Sequence, residues 1–365
     1  MSELDHPAFP VALLTATADE RIAYFADVWI VHPAFKDALT RIRRLLRLKQ
    51  PGYLVVLNGP TGAGKTRLCR MLLAERIAAA RERMATETDY VPAFMVELAA
   101  ERDGRFDWRD HFSRSLRQLQ EPLLDRKVLR DEATGELEWG TERVLRFAYE
   151  SCLKHRKVEL AIWDEAHHLR KLAGSRAFVE QMDTVKSIVN LTGTLHLLAG
   201  TYEILDLCDL SAELARRTYD VHLPRYGESA HEQRIFLNVI RSLQIHLPLR
   251  SQTNLSALAD YLYERSLGCV GILKDWLMEA LVLAMEENAG VSESVLQRTG
   301  YSPGKLQAIR REIELGECRR REMDGIPSIA REKGAPPRPQ ATSFGHRPGQ
   351  RRAIRDPVPA APFPA

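Results

Sequence analysis

The chain has 365 residues, 45% of them hydrophobic and 28% charged, which is the composition of a globular protein with room for one large domain or two smaller ones. Its net charge of +3 is carried by the C-terminus. Residues 326–365 hold seven Lys and Arg against two Asp and Glu, while the other 325 residues hold 45 against 47 and net −2, so any nucleic-acid surface on the body has to be a local patch. No apolar run approaches the roughly 20 residues of a membrane span. The start lacks a basic-then-apolar leader, and the five cysteines contain no C-x-x-C pair, so the expectation is a cytoplasmic protein with reduced thiols and no membrane partner.

In chain order, residues 1–17 read as a flexible lead. Ala18–Phe25 and His32–Lys49 read as helices, the second with an apolar stripe of Phe35, Leu39, Ile42, Leu45, Leu46 and Leu48. Trp29-Ile30-Val31-His32-Pro33 lies between them, either to pack on a purine base or to make a core contact. Tyr53–Leu57 is a short apolar run typical of a buried parallel strand. Gly59-Pro60-Thr61-Gly62-Ala63-Gly64-Lys65-Thr66 follows and matches G-x-x-x-x-G-K-[ST] at every fixed position. The glycines let backbone N–H groups turn inward on phosphate oxygens, and the following helix adds its positive end. Lys65 is then the contact for the β- and γ-phosphates of ATP, and the Thr66 hydroxyl a ligand for Mg²⁺. The helix runs on through RLCRMLLAERIAAARERM without a breaker.

Ala93–Leu98 is the second strand and Arg109–Leu119 a helix. Leu123–Gly140 is an exposed insertion or hairpin, and Thr141–His155 is an amphipathic helix. Leu160–Trp163 is an apolar strand ending in Asp164-Glu165. An acid at the tip of a strand beside the P-loop strand holds Mg²⁺, and the next acid deprotonates the attacking water, so Asp164 is the metal candidate and Glu165 the candidate base. His167 and His168 fit a supporting contact at a helix start better than a metal site of their own. Phe178–Leu191 is a helix and Thr194–Ala199 a strand. Thr201 beyond its tip either touches the γ-phosphate or caps the next helix. Asp209–Arg217 is a helix ending in Arg216-Arg217, which either complement its C-terminus or reach a neighbouring subunit's γ-phosphate. Tyr219–Leu223 is the fifth strand.

After Pro224 only helices remain: Ala230–His246, Leu255–Ser266, Val270–Asn288 and Pro303–Arg321. Lys274 lies one turn into the third and reads as a surface lysine in preference to a nucleotide contact. From 326 on, Pro supplies nine of forty residues, a composition of a disordered basic tail. The expected division is a lead over 1–17, an α/β domain with an N-terminal helical extension over 18–224, helices over 225–325, and the tail over 326–365.

This order of elements resembles the AAA+ ATPases: an α/β P-loop NTPase with a parallel five-stranded sheet flanked by helices, plus an all-α lid. Within them the chain looks like the TniB/TnsC-type ATPases of Tn7-like transposons over about residues 20 to 290. RIAYFADVWIVHPAFKDAL (21–39), NGPTGAGKT (58–66), IWDEAHHL (162–169), LLAGT (197–201), LARRTYDVHLPRY (214–226) and SLGCVGILKDWLMEAL (266–281) carry the resemblance. It implies an ATPase that binds double-stranded DNA when ATP-bound, assembles into a ring or helical filament, and passes target-site information from target-selection proteins to a transposase. Hydrolysis then disassembles it. Two departures stand out. Thr218 follows the Arg pair where the family often has an aromatic, which leaves open whether Arg216 or Arg217 is the finger, with Arg217 preferred, and the lid shows no strong Gly-x-x-Arg-type second sensor.

From the residues alone DNA binding rests on Arg102, Arg105 and Arg109 after the second strand, which read by default as a solvated charged loop. The alternatives are an AAA+ switch acting on a protein partner without DNA, and a P-loop kinase or metabolic NTPase.

Overall fold

The computed structural model describes residues 10–48, 52–99, 106–121, 128–130, 137–139, 142–169, 175–206, 216–250 and 254–325. A parallel sheet is formed by β1 (Leu54–Asn58), β2 (Ala93–Glu97), β5 (Leu160–Asp164), β6 (Leu195–Gly200) and β7 (Thr218–His222), in the order β2-β5-β6-β1-β7. β3 (Val128–Arg130) and β4 (Leu137–Trp139) form a separate antiparallel pair inside the stretch read as an insertion or hairpin.

The sheet is covered on both faces, and strand alternation decides which residue serves which face. Leu54, Val56, Phe94, Val96, Ala161, Trp163 and Leu198 share one core with residues of α5 (Trp108–Gln118), α6 (Glu142–His155) and α7 (Ser175–Thr192). Val55, Leu57, Leu160, Ile162, Leu197 and Ala199 share the other with α2 (Pro33–Leu48) and α3 (Lys65–Ala79). Every residue of β1 and of β5 is buried, which is why both strands read as unbroken apolar runs.

The structure corrects several sequence-based expectations. The P-loop strand β1 pairs with β6 and β7, so the strand leading to Thr201, not the one ending in Asp164, is its neighbour. A polar residue beyond the tip of β6 therefore comes nearer the P-loop than strand succession suggested. The long helix after the P-loop ends at Ala79, and α4 (Arg81–Thr86) follows with Ala80 between them at φ −99°, ψ 1°. Within the expected lead, Val11–Thr15 forms a 3₁₀ turn, and Thr17 and Glu20 close a reciprocal capping box on α1 (Ala18–Asp27). Residues 1–9 and 209–215, with most of the helix expected over Asp209–Arg217, lie outside the described residues, as does the tail.

Beyond β7 come α8 (Ala230–Ile245), α9 (Ala259–Ser266), α10 (Val270–Glu286), α11 (Glu293–Thr299) and α12 (Pro303–Met323). The α9 segment opens with a 3₁₀ turn at Leu255–Leu258, and α11 is a short element the sequence pattern did not reveal. Phe25 of α1 and Ile30 sit in the same apolar core as Phe236, Leu273, Trp276, Leu277 and Leu296 of these helices. The first helix therefore belongs, by packing, with the last ones. Residues 28–32 lead from that core to the sheet core, which begins at Phe35.

Candidate functional site

At the C-terminal edge of the sheet, β1 hands over to the Gly59–Gly64 loop. Leu223 N–H donates to Asn58 C=O at 2.8 Å, and the Asn58 amide donates to Val221 C=O at 3.2 Å and to the Asp220 carboxylate, so β7 holds the base of the loop. Gly64 stands at φ +98°, a left-handed conformation that releases the loop into the first turn of α3. Lys65 is the first residue of α3 and is buried. Its Nζ donates to Gly59 C=O at 2.9 Å and Pro60 C=O at 2.8 Å. Burial lowers the pKa of this ammonium, and Glu165 and Asp164 oppose that shift.

Asp164 is the last residue of β5 and 2% exposed. One carboxylate oxygen accepts from Glu165 N–H at 3.0 Å. Glu165 has φ +53°, a costly conformation for a side-chain-bearing residue. Glu165 Oε2 lies 3.2 Å from His167 Nδ1. The carboxylate of Glu165 and the ring nitrogens of His167 and His168 all fall within 4.8 Å of one another. Thr201 stands at the N-cap of the 3₁₀ turn Tyr202–Leu205, yet its side chain makes no cap bond.

Lys65, Thr66, Glu165 and Thr201 line one cleft of about 490 Å³, together with Thr61, Gly62 and Gly64. Two elements close it from far along the chain. Gly271 N–H of α10 donates to Gly62 C=O at 2.7 Å, and Glu312 of α12 accepts from Thr61 Oγ1 at 2.9 Å. A second cavity of about 310 Å³ shares Gly64, Arg67, Gly271 and Asp275 with the first and is walled by Trp29, Ile30, Val31, Ala63, Val270 and Met278. The first is thus lined by polar and charged residues, Lys65 and Glu165 among them, and the second is mostly apolar. Trp29 and Ile30 both line this cavity, and Ile30 also belongs to the apolar core, which bears out the core contact for this segment.

A family model described as an AAA domain matches residues 48–208. Residues 48–208 form an AAA domain. The chain has the AAA+ P-loop NTPase fold: β1, β2, β5 and β6 lie inside the matched residues, and β7, just beyond them, completes the five-stranded parallel sheet flanked by helices. Among solved structures the ORC2 protein of Aeropyrum pernix, described in ADPNP–ADP complexes, is similar at 17% identity over 77% of this chain and 72% of that one, with a TM-score of 0.50. The Walker-type ATPase PABY2304 of Pyrococcus abyssi is 18% identical over 82% of this chain and 78% of that one, with a TM-score of 0.48. At 17% identity the likeness to the ORC2 protein is one of fold. No curated protein matches the chain.

Other candidates fall elsewhere. Arg216 and Arg217 immediately precede β7, whose first residue Thr218 pairs with Leu54 at the start of β1. They therefore sit at the edge opposite the P-loop, about 16 Å away along the strand, and Arg217 Nη1 donates to Asn190 Oδ1 at 2.9 Å. Arg109 is exposed in the first turn of α5, while Arg102 and Arg105 lie outside the described residues.

Lys274 is a correction. It is half-buried, and its Nζ donates to the carbonyls of Phe25 and, at 3.0 Å, Val28. Glu312 and the stacking of Arg67 on Trp29 were invisible in the sequence, since Glu312 stands 251 residues from its threonine and neither carries a motif. The helix α10 itself was legible in the sequence, and the Gly268-Cys269-Val270-Gly271 run marks its start.

Proposed function

We propose that the chain binds and hydrolyses ATP, and that hydrolysis governs its assembly on double-stranded DNA as a transposition regulator of the TniB/TnsC type. The observation that carries the ATPase reading is the convergence of Lys65, Thr66, Glu165 and Thr201 on one cleft beside an apolar cavity. In this reading the apolar cavity takes the base and the P-loop cleft the phosphates. The description of the ORC2 protein with ADPNP and ADP supports it.

Hard oxygen donors suit Mg²⁺, and Thr66 and Asp164 would hold it; when bound, the ion neutralises phosphate charge. The loop amides and Lys65 bind and orient the phosphates. Glu165 accepts the proton of the attacking water at its carboxylate, with His167 fixing its orientation. Thr201 orients that water or the γ-phosphate. Arg217, with Arg216 beside it, is too far along the strand to serve its own cleft. It acts on a neighbouring subunit's, where it stabilises charge in the transition state. Supplying the finger from a second copy links turnover to homo-oligomer formation.

The finer reading rests on the sequence resemblance, with residues 18–224 as the ATPase domain, 225–325 as its lid, and a transposase with target-selection proteins as partners. Arg102, Arg105 and Arg109 are its candidate DNA contacts. Fluorescence anisotropy of labelled duplex DNA with a non-hydrolysable ATP analogue, with ADP and without nucleotide tests it. Binding confined to the ATP analogue and weakening steeply with salt is expected. ATP turnover without DNA binding in any state would favour a protein partner instead.

A further inference from the structure

The C-terminal end of α1 is a joint on which the P-loop helix and α10 both converge. Its last-turn carbonyls face two cations from different elements. Arg67 of α3 donates from Nη2 to Asp27 C=O at 3.0 Å and stacks its guanidinium 3.6 Å from the centre of the Trp29 ring. Lys274 of α10 donates to Phe25 and Val28 C=O and lies 4.3 Å from the centre of the Phe25 ring. Cations at a helix C-terminus satisfy carbonyls that have no partner within the helix and are favoured by its dipole. The other side of α1 is pinned to the end of α8, where Arg21 Nε donates to Pro248 C=O at 2.8 Å and Tyr24 Oη lies 2.7 Å from His246 Nδ1.

We propose that Lys274 is a positioning residue: it clasps α1 to α10 and thereby holds the Trp29–Val31 wall of the base cavity against the P-loop, instead of reading the γ-phosphate. Lys274 and one of its acceptor residues, Val28, line the cavity walled by Trp29, and neither lines the cleft of Lys65 and Thr66. Burial, and next the charge of Arg67, pull its pKa down to about 8, as befits a cation enclosed between two elements. The clasp itself is independent of any nucleotide. Its consequence for ligands rests on the ATP reading above.

The test uses the full chain with Lys274→Met and Lys274→Arg. First, hydrogen exchange over residues 18–32 is measured without nucleotide. Loss of charge-assisted bonds predicts exchange about 10-fold faster in Lys274→Met, with recovery in Lys274→Arg, whose guanidinium also donates to two carbonyls. Unchanged exchange overturns the clasp. Second, calorimetric affinities for ATP, ADP and adenosine are compared. A clasp weakens all three by one common factor, about 10-fold in Lys274→Met. A selective loss for ATP, with adenosine unaffected, overturns the positioning role and makes Lys274 a phosphate contact. Faster exchange in Lys274→Met beside a wild-type chain that binds none of the three ligands retains the clasp and removes the ATP reading instead.

Discussion

The N–H of Gly271 and the carbonyl of Gly62 meet at 2.7 Å, so the start of α10 rests directly on the P-loop. Neither residue tolerates a side chain there. A Cβ on Gly271 would stand 2.5 Å from the Gly62 oxygen, and one on Gly62 would stand 2.5 Å from Ile272 Cγ1.

Gly271→Ala therefore sets two effects against each other. Helix propensity alone would stabilise α10 by about 1 kcal/mol. The clash with backbone, which cannot rotate aside, costs about 1–3 kcal/mol and lifts the helix off the loop. The expected outcome is a nucleotide affinity lowered about 10-fold with little change in the thermal midpoint, measured by calorimetric titration and a melting curve. Unchanged affinity would mean that this contact does not shape the cleft.

Glu165→Gln keeps the shape and removes the carboxylate proposed as the base. Turnover is expected to fall by about 100-fold or more, with ATP affinity within about threefold of wild type. Steady-state phosphate release and equilibrium binding of a fluorescent ATP analogue give the two numbers separately. Equal losses in both would assign Glu165 to binding.

Arg217→Ala should also abolish turnover while leaving ATP binding largely intact, because the residue faces away from its own cleft. Mixing it with Glu165→Gln is the sharper measurement. Each variant alone is inactive, yet an interface pairing Glu165 of one subunit with Arg217 of the other is complete. Turnover reappearing on mixing is expected. A mixture as inactive as its components would remove the finger assignment.

Glu312 accepts from the P-loop Thr61 hydroxyl and puts a carboxylate beside the phosphate cleft. Glu312→Gln retains the acceptor without the charge. Triphosphate affinity is expected to rise about three- to tenfold more than diphosphate affinity, an effect that shrinks in high salt. A common factor for ATP and ADP would show that the carboxylate does not sense the third phosphate.

Strand β5 carries its own pH dependence. Trp163, one residue before Asp164, is wedged between the rings of His111 at 4.3 Å and His196 at 5.1 Å. Burial depresses the pKa of His111 to about 3 and that of His196 to about 4. The unfolded chain, with imidazoles near 6.5, binds protons that the folded chain refuses. The stability these neutral rings contribute is therefore complete above about pH 6.5 and declines as pH falls towards 4, by at most about 1.4 kcal/mol per pH unit for each. Urea titrations at pH 7.5 and 5.0 should show the midpoint falling at the lower pH. His111→Phe, similar in volume and uncharged, should flatten that dependence. A midpoint independent of pH would mean that the two rings accept protons in place.

Much of the AAA domain was legible in the sequence because its signals are local. The P-loop spacing, the apolar runs of β1 and β5 and the acids after Trp163 each depend on neighbours within a few residues, where backbone conformation and strand burial are decided. What lay beyond local reading was whatever depended on crossovers. β6 slips between β1 and β5, and this brings Thr201 rather than Asp164 onto the strand next to the loop.

Tertiary structure alone decided the rest. Lys274 reads as a surface lysine because nothing nearby in the chain pairs with it, and only packing brings it to carbonyls about 250 residues away. Glu312 met the P-loop in the same way. Residue types and short spacings determined that the Gly59–Gly64 loop forms between β1 and α3. The partners of a charged side chain on a helix depend on where the whole helix docks, a matter settled by apolar faces buried far from the charge itself.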